Sequence, residues 1–123
     1  MSNKSMNLTG TGKEILENII SIIEIDRPLG IKIALAKGIA IANGKITEEY
    51  KDSLKKWIIP DNIIKEQEFT LFKHLIINEL NNSLTNDELH KHMLLFIEKG
   101  LRHIDHQIKN LNSLEDARIK ILN

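Results

Sequence analysis

The chain has 123 residues, no cysteine, and equal numbers of basic (Lys plus Arg) and acidic (Asp plus Glu) side chains, 17 of each. That length fits one domain, because a chain of this size buries roughly two-thirds of its unfolded surface. The missing cysteine excludes disulfides, thiolate metal sites and cysteine nucleophiles. The balanced charge removes the usual signature of a strongly basic nucleic-acid binder, so any contact with an anion must come from a local patch.

Apolar residues make up 41% of the chain but include only one Trp, one Tyr and three Phe. The core is therefore aliphatic and few rings are left on which bases could stack. Residues 1–12 are polar and carry no apolar leader segment, and no stretch approaches the roughly 18 apolar residues of a membrane helix. A cytoplasmic location without membrane contact is the expectation. Cutting the chain at Pro60 leaves nine basic against seven acidic residues before it and eight against ten after it, which turns the first half towards anions.

In chain order, residues 1–11 read as a flexible arm whose apolar pair Met6 and Leu8 suits one short strand. Ile15, Leu16, Ile19, Ile20, Ile22 and Ile23 recur at helical spacing and predict a first helix over about 12–25, with Thr11 as N-cap and Glu14 as its capping-box partner. Asp26-Arg27-Pro28 ends it, and Pro28 suits the first turn of a second helix over about 28–43. That helix has only Lys32 and Lys37 as charged positions, so it must be covered on most sides. Its alanines and Gly38 allow a neighbouring backbone to come close, which suggests a subunit interface; a central core helix is the alternative. Asn43-Gly44 stops it.

Thr47, followed by Glu48, Glu49 and Tyr50, predicts a short charged third helix to about Trp57. A fourth, over about 63–81, points Phe69, Phe72, Leu75, Ile76 and Leu80 inward. Thr85, with Glu88 at its N3 position, caps the longest helix, about 86–111, which buries Leu89, Met93, Ile97, Leu101, Ile104 and Ile108. Ser113 caps a last short helix to Leu122. The expected fold is all-α, a single-domain bundle of about five to six helices over 1–123 with a short N-terminal arm or strand.

Catalytic and metal chemistry find little footing. His103 and His106 stand three apart beside His90, His92 and Asp105, but the paired Glu-x-x-His pattern of a helical metal site does not occur, so no metal and no cofactor are expected. Gly10-Thr11-Gly12-Lys13 lacks the first glycine at the required spacing and the preceding buried strand of a phosphate loop, and reads as an ordinary helix start. Glu48, Glu49 and Asp52 are the dense carboxylates a metal-dependent nuclease would need, and a charged exposed helix explains them better. The chain is read as not an enzyme.

Basic residues are more informative. Lys13, Arg27, Lys32, Lys37 and Lys45 are the cations placed to meet phosphate, and Arg27 and Lys32 flank the start of the second helix, where free N–H groups favour an anion. A second stripe, Lys99, Arg102, His103, His106 and Lys109, runs along the longest helix, but Glu98 and Asp105 beside it favour an exposed mixed-charge surface.

The polar arm, the turn at Pro28, Gly30-Ile31-Lys32-Ile33-Ala34-Leu35-Ala36, then Phe72-Lys73-His74-Leu75-Ile76, Leu89-His90-Lys91-His92 and Phe96-Ile97-Glu98-Lys99-Gly100-Leu101 together resemble the DndE family over about residues 6–105. DndE is the small subunit of the bacterial DNA sulfur-modification (phosphorothioation) system. The resemblance implies a mainly helical homotetramer that binds double-stranded DNA, nicked duplexes included, beside the other subunits of the sulfur-modification complex without transferring sulfur itself. It also implies a start similar to a ribbon-helix-helix arrangement, with Lys32 as the family's basic residue and Pro28, Leu29 and Gly30 as the phosphate-facing helix start. Lysine stands here where the family favours arginine, which keeps charge but loses bidentate forks. Two other readings stay open: a ribbon-helix-helix repressor or antitoxin whose arm around Asn7, Leu8 and Thr9 reads bases, and a helical adaptor that holds proteins together without touching DNA.

Overall fold

The computed structural model of the chain describes residues 6–44, 46, 49–60 and 63–110. Among them the order is β1 (Met6–Leu8), α1 (Gly10–Ile23), α2 (Arg27–Ile41), β2 (Trp57–Ile59), α3 (Glu66–Leu80) and α4 (Asn86–Lys109). The fold is mostly helical, with four helices among the described residues where five to six are expected, and a small antiparallel ribbon. The expected helix from Ser113 lies outside the described residues, as do Lys45 and the cap Thr47.

The arm forms the strand its apolar pair suggests, and among the described residues it pairs within the chain. Met6 pairs with Ile59, Asn7 with Ile58 and Leu8 with Trp57, all in one chain. This corrects the expected third helix, since residues 49–56 are not helical. The physical reason lies at Asp52. Its carboxylate accepts the backbone N–H groups of Thr11 at 2.8 Å and Leu54 at 3.1 Å, a side-chain-to-backbone turn that competes with helix. The chain then enters Trp-Ile-Ile, residue types that suit a strand, and Pro60 ends it.

α1 starts two residues earlier than its periodicity suggests. Thr9, not Thr11, is the N-cap, accepting from the Gly12 N–H at 2.9 Å. Leu16, Ile19 and Ile23 form the buried stripe, and Glu24 in the left-handed region (φ 58°) closes the helix before the proline is reached. Asp26 then caps α2, accepting from the Leu29 N–H at 2.9 Å, with Pro28 in the first turn. α2 ends at Ile41, short of the Asn43-Gly44 stop, where Gly44 has φ 85°. α3 closes at Asn81 (φ 54°). Its inward stripe keeps Phe72 and Ile76 buried, but Leu75, expected inside, is 40% exposed.

α4 matches its sequence signals: Thr85 and Glu88 form a reciprocal capping box, and Leu89, Met93, Ile97, Leu101 and Ile104 are almost fully buried. α2 lies along α4, and two glycines set how close they come. A Cβ on Gly38 would collide with the backbone of Phe96, and one on Gly100 with the carbonyl of Ala34. The close neighbour that α2's small residues invite is therefore α4 of the same chain, and those residues do not by themselves call for a second subunit. α3 is tied on by Lys32–Glu68 (3.0 Å), by Gly44 N–H to Glu79 (2.9 Å) and by the Phe69 and His90 rings, 5.4 Å apart.

Candidate nucleic-acid interface

Asp26 shapes the start of α2. Its carboxylate already occupies the place where a phosphate would meet the first free N–H groups, and a phosphate there would face a like charge. Arg27 and Lys32 do not converge on that point. The Arg27 Nε donates to Glu17 of α1 at 2.6 Å, and the Lys32 ammonium to Glu68 of α3 at 3.0 Å. The Glu68 carboxyl sits below the ordinary carboxylate range, held there first by the Lys65 backbone N–H and then by Lys32. Lys13 is half-buried on α1, one turn before Glu17 on the same face. The structure thus spreads Lys13, Arg27 and Lys32 over a surface with carboxylates interleaved.

Lys37 is in a different setting. It precedes Gly38 on α2, and Lys99 precedes Gly100 on α4, so the close approach at the two glycines brings the cations to flanks of one helix crossing. His103 and His106 follow Lys99 at one-turn spacings along the same stripe of α4. The His103 imidazole lies below its usual range, first because it is partly buried and then because Lys37, His106 and Lys99 are close.

Glu98 and Asp105, the carboxylates that make this stripe look mixed in sequence, belong to another face. Asp105 is 2.9 Å from Lys109. Glu98 is only 2% exposed and points to the start of α1, where it accepts the Thr9 N–H (2.9 Å), the Thr9 hydroxyl (3.1 Å) and Arg102 Nη1 (2.7 Å). Arg102 in turn lies over the Tyr50 ring, 4.3 Å from its centroid. The stripe of five is therefore divided: Arg102 and Lys109 face carboxylates, and Lys99, His103 and His106 join Lys37. Among the described residues Lys37 is not bridged to a carboxylate.

Sequence reasoning singles out Lys37 but not its company. The usable signal is a pair of lysines each preceding a glycine, Lys37-Gly38 and Lys99-Gly100, on helices apolar enough to pack together. No three His, Asp or Glu side chains among the described residues are grouped to hold a metal ion. The depression at the end of α3, lined by His74, Ile77, Asn78, Asn81, Asn82 and Ser83, is open to solvent and mostly polar. No described helix is long and apolar enough to cross a membrane. No protein-family model, curated protein or solved structure matches the chain.

Proposed function

We propose that the chain is a non-catalytic double-stranded DNA-binding subunit, contacting backbone phosphates from the α2/α4 crossing and acting, as a homo-oligomer, in DNA sulfur modification of the DndE type. The observation that carries the DNA reading is Lys37 beside the close α2/α4 approach at Gly38, with no carboxylate among the described residues bridged to it. Phosphate contacts of this kind position a duplex without reading its sequence. A neutral chain suits such a role when several copies present the same patch, because their fields add. The sulfur-modification context and the tetramer rest on the sequence resemblance, and cytoplasmic location follows from them.

Binding to intact, nicked and single-stranded DNA at two salt concentrations, with light scattering on the same sample, tests the reading. The expected result is an oligomer whose duplex affinity falls steeply with salt through counterion release. Absence of binding to every DNA form, or binding indifferent to salt, overturns it. The adaptor reading draws on Leu71 and Leu75, 57% and 40% exposed and one turn apart on α3. Co-purification of a protein partner without any DNA shift would favour it.

A further inference from the structure

We propose that Asn43 is a site of spontaneous covalent modification, in which its side-chain amide is lost as ammonia to attack by the backbone nitrogen of Gly44, and that the Glu79 carboxylate restrains the reaction. The site is independent of any DNA contact. The sequence holds one Asn-Gly pair, residues 43 and 44. It stands beyond α2, which ends at Ile41 with Ala42 as its C-cap, and lies outside any helix or strand. Asn43 is exposed, and among the described residues no hydrogen bond holds its amide. A Cβ built on Gly44 would meet nothing within 4 Å. With open space around it and no side chain of its own, Gly44 (φ 85°) is free to turn its nitrogen towards the amide carbon.

The chemistry needs only water. The Gly44 nitrogen gives up its proton and attacks Cγ of Asn43; the N–Cγ bond forms, the bond from Cγ to the side-chain nitrogen breaks, and that nitrogen leaves with the proton as ammonia. The cyclic imide then takes up one water at either carbonyl. Opening at the backbone carbonyl routes the main chain through Cγ as isoaspartate, and opening at Cγ gives aspartate. Glu79, in the last turn of α3, stands in the way, because its Oε2 accepts the Gly44 N–H at 2.9 Å. The nitrogen must leave that charge-assisted bond before it can attack, and losing its proton in place would set an anionic nitrogen beside a carboxylate. The reaction therefore proceeds when the tie between the end of α2 and α3 opens. Either product puts a new carboxylate just past the negative pole of α2 and one residue from the Glu79 contact, and isoaspartate also lengthens the main chain there, so the tie closes less readily afterwards.

The test ages the purified full chain at neutral pH and follows residue 43 by peptide mass spectrometry, with isoaspartate scored by isoaspartyl methyltransferase labelling. Wild type is compared with Glu79→Ala, Glu79→Gln and Asn43→Gln, and with wild type held unfolded in guanidinium chloride; circular dichroism shows which variants are folded. Losing a hydrogen bond to a charged group should speed conversion by roughly tenfold or more in Glu79→Ala and in unfolded wild type. Glu79→Gln, which keeps an acceptor but not the charge, should fall between. Asn43→Gln should remove the signal, since its longer side chain would have to close a larger ring. Asn82, which precedes Ser83 beyond α3, should convert at one rate in all the folded proteins. If Glu79→Ala fails to fold, Glu79→Gln and the unfolded wild type decide. An intact Asn43 in unfolded wild type, or equal rates in wild type and the folded Glu79 variants, overturns the proposal. Slower conversion in those variants also overturns it, by making Glu79 the base that draws off the proton.

Discussion

Glu98→Gln is the sharpest perturbation of the fold. The native carboxylate is 2% exposed and accepts from the Thr9 N–H, the Thr9 hydroxyl and Arg102. A glutamine has nearly the same shape but only one accepting oxygen. If that oxygen keeps Arg102 and the Thr9 hydroxyl, the new amide faces the Thr9 N–H, donor against donor. A hydrogen bond to a charged group worth about 1.5–3 kcal/mol is lost and a buried N–H is left unpaired. Turning the amide over sets Arg102 against it instead, donor against donor, while the Thr9 hydroxyl can rotate to accept. Arg102 recovers part of its loss, because its side chain is 30% exposed and lies over Tyr50. The sum is about 3–4 kcal/mol, in line with the usual cost of breaking a buried pair. Urea unfolding followed by circular dichroism measures it as a lower midpoint at unchanged slope. A loss under about 1 kcal/mol would refute the reasoning, since it would mean that water already serves these groups.

Gly38→Ala and Gly100→Ala each add one methyl group where a backbone already stands. Helix propensity favours alanine by about 1 kcal/mol, yet α2 and α4 must separate to admit it, and overpacking of backbone should dominate with a net loss of about 2–3 kcal/mol or more in thermal or urea unfolding. Lys37→Ala should weaken duplex binding more than Arg27→Ala, because Arg27 is already engaged with Glu17; equal losses in anisotropy titrations would count against the proposed surface. His103 also predicts an acid limb in stability. Its folded-state pKa lies below the value near 6.5 that it has when unfolded, so the unfolded chain takes the proton more readily. The contribution is full above about 6.5 and is lost as the pH falls through the folded value. His103→Gln should flatten that limb of a urea-midpoint profile, and an unchanged profile would contradict it.

Signals within single helices were legible. The Thr85 and Glu88 capping box, the buried stripe of α4, Pro28 at the start of α2 and the strand of Met6 and Leu8 depend on neighbours in sequence, and the structure shows each. Features set by partners far along the chain were not. Trp57–Ile59 becomes a strand because β1 supplies an edge for it, and Asp52 leaves the helical pattern because Thr11 offers an N–H. Glu98 lies away from the apolar stripe of α4, where helical periodicity predicts exposure. It is buried because the start of α1 covers that side too. Lys37 and Lys99 stand in different helices, and only the Gly38 and Gly100 crossing makes neighbours of them.

The central claim is that the surface around Lys37 holds DNA phosphates, and the salt slope of duplex affinity tests it most directly. A plot of log affinity against log salt for wild type and for Lys37→Ala counts the phosphates neutralised, at a slope of about 0.9 each on duplex DNA. The account predicts a steep wild-type slope that falls by about 1 per protomer engaged in the folded variant. An unchanged slope and affinity in that variant would contradict it.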